Sequence, residues 1–512
     1  MNTTTGDPAS ILGLKSEPIP RRGESEKGPA IPEPATPKRK ATGKKTPKVV
    51  HGFKRTDAGN ADRLVAQHGE DLRFVSGRGW LVWSGRVWEP VGKDALRVMA
   101  RAEETAKSIF TEAAAHKAEE QTAFVKWAVA SQSATRLESM IKLSRHKLEA
   151  KVEDLDPDHW LINCSNGILD VRTGELRPHD RTAMCTQIAR CKYDPTAKAP
   201  RWERFLEEVH PNDPEVRAFV HRWAGSLLTG DTSDQSLVIA IGRGRNGKGV
   251  LLNTLGWILG SYSRNVSQEF FLRRPGDPPP KAELAQLPGL RFVWGTELKK
   301  KLPLDVEFIK ALSGGDPMTA EAKYQAPFTF VPQFKIAMSA NQRPQSGDTT
   351  DSFWARAKWV LFPKNFQELG TLDKSLPNVM KKEAAGILAW MQRGALIWQR
   401  DGLGSAPAID SFGEEERTAQ DPLSEFFHER TVEDAAATCE KLSLFAEYED
   451  WATQGGDRRP GRWMLSKRGF NREMRDRGYG EGRDPQASSR RAIWKGIRLV
   501  GEPVQTPIGG LE

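Results

Sequence analysis

Apolar and polar positions along this chain fall into blocks whose period changes from helix-like to strand-like and back. From Asp57 to His68 the apolar residues recur at helical spacing and predict a helix. Leu72-Arg73-Phe74-Val75 and Gly79-Trp80-Leu81-Val82-Trp83 read as short strands. Ser84-Gly85 then turns the chain into Arg86-Val87-Trp88, a hairpin. Its three tryptophans are expected in the core more than on nucleic-acid bases. Long helices rich in Ala, Glu, Lys and Arg are expected over 94–154, a strand–turn–strand over Trp160 to Asp170, and helix from Trp202 to Leu228. Between 236 and about 363, apolar strand-like runs alternate with helical ones, the pattern of a mostly parallel α/β sheet. A further helix, Lys381 to Arg400, carries Ile387, Met391, Ala395 and Trp398 on one face. Gly402 to Pro407 reads as a linker, and 420–500 as a separate small domain.

The sharpest block is Leu237-Val-Ile-Ala-Ile-Gly-Arg-Gly-Arg-Asn-Gly-Lys-Gly-Val250. An apolar strand feeds a glycine loop that ends in Lys248, and a helical pattern (Val250, Leu251, Leu252, Leu255) follows at once. In such a strand–loop–helix the loop N–H groups and the helix N-terminus face a triphosphate, and the lysine neutralises its β/γ charge. Gly242, Gly244, Asn246, Gly247, Lys248, Gly249 and Val250 are the expected cradle. One position departs from the motif: Gly249 stands where Ser or Thr would offer Mg²⁺ a hydroxyl.

A phosphate loop needs an acid at a neighbouring strand end. Arg291-Phe-Val-Trp-Gly-Thr-Glu297 supplies one, so Glu297 is the expected activator of water and the metal residue; its bland reading is a strand-end surface carboxylate. Phe334 to Asn341 is a buried-type strand ending in an amide that either senses the γ-phosphate or forms a turn before Pro344. Phe353 to Val360 carries Arg356 and Lys358, each either a finger inserted into a neighbouring subunit's site or solvated charge. Between acid and amide, a helix, a glycine break and two short strands surround Lys323–Tyr324. Such a tip suits a ring lumen, lysine meeting phosphate and tyrosine stacking, or is a plain surface hairpin.

Composition narrows the setting. Hydrophobic residues make up 38% and charged residues 28%, a soluble globular profile, and no apolar run is long enough for a membrane span. Cys164, Cys185, Cys191 and Cys439 lack zinc spacing and read as buried thiols of a reducing cytoplasm. The formal charge is +9. Its excess gathers between Asp457 and Arg498, with thirteen Lys/Arg against five Asp/Glu, and in a Pro/Lys-rich tail over 1–50 that is expected to be disordered.

In their order, the glycine loop, the strand ending in Glu297, the Ser313-Gly-Gly-Asp316 helix–hairpin, Met338-Ser-Ala-Asn341 and Trp354-Ala-Arg356 resemble a superfamily 3 helicase domain. The likeness is strongest to the phage and plasmid primase–helicase family with its poxvirus-type relatives. It extends upstream to Thr56-Asp-Ala-Gly-Asn-Ala61, the Trp-Leu-Val-Trp hairpin and Asn163-Cys-Ser-Asn-Gly-Ile-Leu-Asp170, covering roughly 53–400.

The resemblance implies an α/β P-loop, AAA+-like ATPase core over 206–400. A mainly α helicase-associated region, 51–205, precedes it. A linker, 401–419, and a small winged-helix-like DNA-binding domain, 420–512, follow. It implies an ATP- and Mg²⁺-dependent replicative DNA helicase of a phage or mobile element, cytoplasmic, translocating on single-stranded DNA and forked DNA as a hexameric ring. By matching motif, Lys248 is the phosphate lysine, Glu297 the catalytic acid, Asn341 the sensor, Arg356 the finger, and Lys323 and Tyr324 the DNA contacts. With Gly249 in place of the usual Ser/Thr, Mg²⁺ depends on Glu297, Asp316 or water, and where many relatives carry a second acid this chain has Lys299 and Lys300. No primer synthesis is expected, and a separate primase or other replication proteins are expected partners. The alternative is a nucleotide-switched origin-binding or scaffold protein; a small-molecule kinase is disfavoured by the motif spacing.

Overall fold

The computed structural model describes residues 52–92, 95–273, 281–296, 303–321, 327–344, 346, 351–421, 423–453, 465–484 and 491–501. Its centre is built from strands that are largely apolar and buried, apart from the edge strand Ser263–Val266. These are β1 (Leu237–Ile241), β2 (Ser263–Val266), β3 (Phe292–Thr296), β4 (Lys335–Ala340) and β5 (Ala357–Leu361). They pair in the order β5-β1-β4-β3-β2, and every pairing is parallel. A parallel sheet is covered on both faces, which is why its strands read as continuous hydrophobic runs.

Alternate side chains enter two cores. Val238, Ala240, Trp294, Ala337 and Val360 pack on one face against helix α1 (Lys248–Leu259) and the helices Pro200–Val209, Pro214–Ser226 and Ala384–Asp401. Leu237, Ile239, Val293, Met338 and Trp359 enter the other, against α2 (Val306–Gly314) and Phe353 of α3 (Asp351–Arg356). This mixed α/β core with its parallel sheet is consistent with an AAA+-like domain. On the first face two helix backbones touch: a Cβ on Gly225 would lie 2.1 Å from the Ala395 N, and one on Gly394 2.2 Å from the His221 O.

The N-terminal region is mainly helical. Helices Asp57–His68, Leu96–Ala113, Ala118–Ser131 and Ala134–Ser144 flank a small sheet of Trp88–Pro90, Gly79–Trp83 and Leu72–Val75. Arg63 and Glu112, both buried, form an ion pair there at 2.7 Å. Trp80 and Trp88 are core residues. Two expectations change. Helix does not run through 145–154, because Glu149–Ala150 pairs in parallel with Leu72–Val75. The helix over 202–228 is broken at 210–213, where Asp213 caps the second half by accepting from the Val216 N–H.

Beyond the core, the stretch expected as a linker over 401–419 contains the helix Pro407–Gln420, with Ile409 and Glu416 buried. It packs on β5, Gly413 lying against Trp359. The last region runs helix Ser424–Arg430, strand Thr431–Glu440, helices Lys441–Thr453 and Lys467–Asp476, then strands Gly480–Arg483 and Ala492–Leu499. Its three strands form an antiparallel sheet with Ala492–Leu499 in the middle. Phe426, Tyr448, Phe470 and Trp494 fill the core between helices and sheet. The tail expected to be disordered, 1–50, lies outside the described residues.

Candidate nucleotide site

The loop between β1 and α1 is shaped by close approach. Gly247, the residue before α1, has φ +95°, and a Cβ there would lie 2.6 Å from Val209 Cγ1. A Cβ on Gly242 would lie 2.4 Å from the Phe362 O. Only glycine satisfies both conditions at Gly247. The loop is also tied to the chain that follows β5. Asn246 Nδ2 donates to the Phe362 O at 3.2 Å, and the Phe366 N–H donates to the Arg245 O at 3.0 Å. No side chain caps α1, so its first N–H groups face the loop as an anion-binding end.

Lys248 is buried, and its ammonium donates to the Gly242 O, to Asn246 Oδ1 at 3.1 Å and to Asn341 Oδ1 at 3.2 Å. Burial pulls its pKa down to about 8. The contact with Asn341 joins the end of β4 to the loop after β1, so two sequence-predicted site residues meet here. A cleft of about 820 Å³ opens beside them, lined also by Gly244, Asn246, Gly247, Gly249 and Val250.

The same cleft reaches residues that the motifs did not flag. Arg201, Phe205 and Glu208 form one wall, and Phe366 and Leu376 another. Thr296 and Ser339 line it at the ends of β3 and β4. The spacing Ser339-Ala340-Asn341 placed Ser339 beside the sensor in sequence, whereas the helix Pro200–Val209 reaches the site only through packing. A divalent cation accompanying a nucleotide takes oxygen donors. The hydroxyls of Thr296, Ser339 and Thr254 and the amides of Asn253 and Asn341 offer that chemistry in the cleft, so the donor set fits Mg²⁺.

Arg356 lies elsewhere. It ends α3 and precedes Ala357, which pairs with Leu237 at the start of β1, the opposite end from the glycine loop. Its Nη1 donates to the Lys310 O at 2.9 Å and to Ser313 Oγ at 3.2 Å. Asp316 accompanies it: a Cβ on Gly314 would lie 3.6 Å from Asp316 Oδ2 and 3.7 Å from Arg356 Nη1. That carboxylate therefore does not line the cleft as the sequence allowed. Lys358, the alternative finger, pairs with Val238 and is also outside the cleft lining. Glu297, Lys323 and Tyr324 lie outside the described residues. The flanking strands Met318–Ala320 and Phe328–Phe330 do pair as an antiparallel hairpin. All four cysteines are buried, and none is in a disulfide. No helix among the described residues is long and apolar enough to cross a membrane.

Comparison with known proteins adds an independent line. Residues 61–211 match the family described as D5 N terminal like, and residues 240–356 match a family of unknown function (DUF5906). A putative helicase of Acanthamoeba polyphaga mimivirus is 29% identical over 237 residues, 45% of this chain and 24% of the viral protein. These matches link the chain to the primase–helicase superfamily. They do not single out a subfamily, and the chain spans about a quarter of the length of that curated relative. Among solved structures, an A form apo structure of the NrS-1 C-terminal region overlays 64% of this chain and 88% of its own, at 11% identity and a TM-score of 0.38. An apo structure of the same region (305–718) overlays the same shares at 12% identity and a TM-score of 0.37. Likeness at that level carries no argument.

Proposed function

We propose that this chain is an ATP-driven DNA helicase of the replicative type, encoded by a phage or other mobile element and working as a hexameric ring on single-stranded DNA. One observation carries the reading. The buried Lys248 ammonium is held between the glycine loop and Asn341, the strand-end amide of the neighbouring strand, beside a cleft large enough for a nucleotide. In this reading the triphosphate lies against the N-terminus of α1. Mg²⁺ bound with it neutralises charge on the β- and γ-phosphates. Lys248 leaves the Gly242 carbonyl for phosphate oxygens, Asn341 orients the attacking water, and Glu297 accepts its proton.

Arg356 sits at the far end of the sheet, which supports a role towards a neighbouring subunit's nucleotide rather than its own. Lys323 and Tyr324, which fall in sequence between the paired strands Met318–Ala320 and Phe328–Phe330, are the DNA contacts in this reading. The helix–strand–helix–helix–strand–strand order of 424–499 supports a winged-helix-like domain. Its helix Lys467–Asp476 buries Phe470 and Met474 and exposes Lys467, Arg468 and Arg472, a charge pattern suited to duplex phosphates.

The test is ATP hydrolysis with and without DNA, together with strand displacement on a forked duplex. The helicase reading expects DNA-stimulated hydrolysis and unwinding, both lost in Lys248→Ala. Nucleotide binding without unwinding would favour the switched origin-binding or scaffold reading. Mixing Arg356→Ala with Lys248→Ala subunits should restore part of the hydrolysis, because each supplies what the other lacks.

A further inference from the structure

Gly249 leaves the cleft without the hydroxyl that a phosphate loop ordinarily offers a metal, and nothing nearby fills its space. A Cβ built at 249 would have Asn253 Nδ2, at 3.8 Å, as its only neighbour within 4 Å. Two hydroxyls do stand on the opposite wall. Thr296 and Ser339 are paired directly across β3 and β4, the last pair of that ladder. Both alternate in register with Trp294 and Ala337, whose side chains enter the core on the α1 face, and both line the cleft. Asn341, two residues beyond Ser339 and just past the end of β4, accepts from Lys248. The hydroxyl pair is thus one step along the sheet from the ammonium that marks the phosphate position.

Other oxygen donors are engaged or less well placed. Two carboxylates line the cleft, but Glu208 is paired with Arg201 and Arg204, and Asp373 accepts from the Ser375 N–H and hydroxyl. Thr254 lies six residues beyond Lys248, about 9 Å along the α1 axis. Asp316 is exposed beside Arg356 and is absent from the cleft wall. No group of three His, Cys, Asp or Glu suited to a metal occurs among the described residues. Mg²⁺ dehydrates reluctantly and keeps several waters, so neutral hydroxyls that accept from those waters suffice to hold the hydrated ion.

We infer that Thr296 and Ser339 hold the water shell of the divalent cation that accompanies the nucleotide, replacing the hydroxyl missing at position 249. This rests on the nucleotide-binding reading above and names the residues through which that site holds its metal. Thr296 and Ser339 are positioning residues: they act on the phosphates only through the cation.

The experiment measures the dissociation constant of a fluorescent ATP analogue with Mg²⁺ and with EDTA, on the full chain. The ratio of the two isolates the metal's contribution. Thr296→Val combined with Ser339→Ala should shrink that ratio roughly tenfold while leaving the affinity in EDTA unchanged. Adding Gly249→Ser to that pair should restore the ratio. An unchanged ratio in the pair overturns the inference, as does failure of Gly249→Ser to restore it. Should the pair not fold, Gly249→Ser alone decides, since its side chain enters open space. A ratio within twofold of the native one fits a metal already held by the strand hydroxyls, and a rise of roughly tenfold overturns it. Absence of any analogue binding by the native chain overturns the nucleotide reading itself, a result distinct from a metal-independent affinity.

Discussion

Lys248 makes nucleotide affinity depend on pH in a window set by its burial. In the empty site the ammonium has only neutral acceptors, Gly242 O, Asn246 Oδ1 and Asn341 Oδ1, and burial holds its pKa at about 8 rather than 10.5. A bound triphosphate places negative charge against it and raises that pKa again. Below pH 8 the lysine is charged with or without nucleotide, and affinity is flat. Above pH 8 the empty site has lost the proton, and binding must take one up. By pH 9.5 affinity should have fallen roughly 30-fold, about 2 kcal/mol. The sign for folding is opposite. Between pH 8 and 10.5 the unfolded chain binds more protons than the native one, so this lysine's burial costs less stability as pH rises. The assay is a fluorescent-nucleotide titration from pH 7 to 9.5, with Lys248→Met as the comparison, whose affinity should be weaker and flat. A native affinity that stays level from pH 8 to 9.5, or the same decline in Lys248→Met, would refute the reasoning.

Gly247→Ala forces a side chain onto a left-handed residue and against Val209 Cγ1, so stability should drop by about 1–3 kcal/mol and nucleotide binding should weaken. Thermal melting and titration check both. At the helix crossing, Gly225→Ala drives a methyl group into the backbone around Ala395, costing about 1–3 kcal/mol or more by the denaturant midpoint; an unchanged midpoint would contradict the close approach. Glu112→Ala leaves the Arg63 guanidinium buried without its carboxylate. A loss of about 3–5 kcal/mol is expected on urea unfolding, and a smaller one for Glu112→Gln, which keeps an acceptor.

Local pattern made the centre of the fold legible. The strand–glycine–helix of 237–259, the mostly apolar runs of β3 and β4, and the hairpins around Gly85 and Gly167 each carry their own signal. What escaped depended on distant pairing. Glu149 and Ala150 become strand only because Phe74 and Val75 lie beside them. The expected linker over 401–419 instead carries a helix, where Ile409 is buried and Gly413 lies against Trp359 of β5. The break at 210–213 was legible in Pro211-Asn212-Asp213-Pro214, a capping signal that the surrounding helical pattern obscured. At the site, Lys248 and Asn341 follow from motif spacing. Thr296 does not, since only the register of β3 on β4 sets it beside Ser339, more than forty residues later.

The short strand β5 joins the two ends of the central sheet. Its first neighbour is Arg356, and its last residue leads into Phe362, whose carbonyl accepts from Asn246 and whose N–H donates to Ile241. Every residue of β5 pairs with β1, so neither strand can slide without breaking the whole ladder. The pair is therefore one continuous ladder with the glycine loop at one tip and an arginine at the other. In the proposed ring, a tilt imposed where phosphate enters would arrive at the far tip as a change in where that arginine aims. Each subunit of an assembly would thus report its own nucleotide to its neighbour by the angle of a rod, without any loop having to refold.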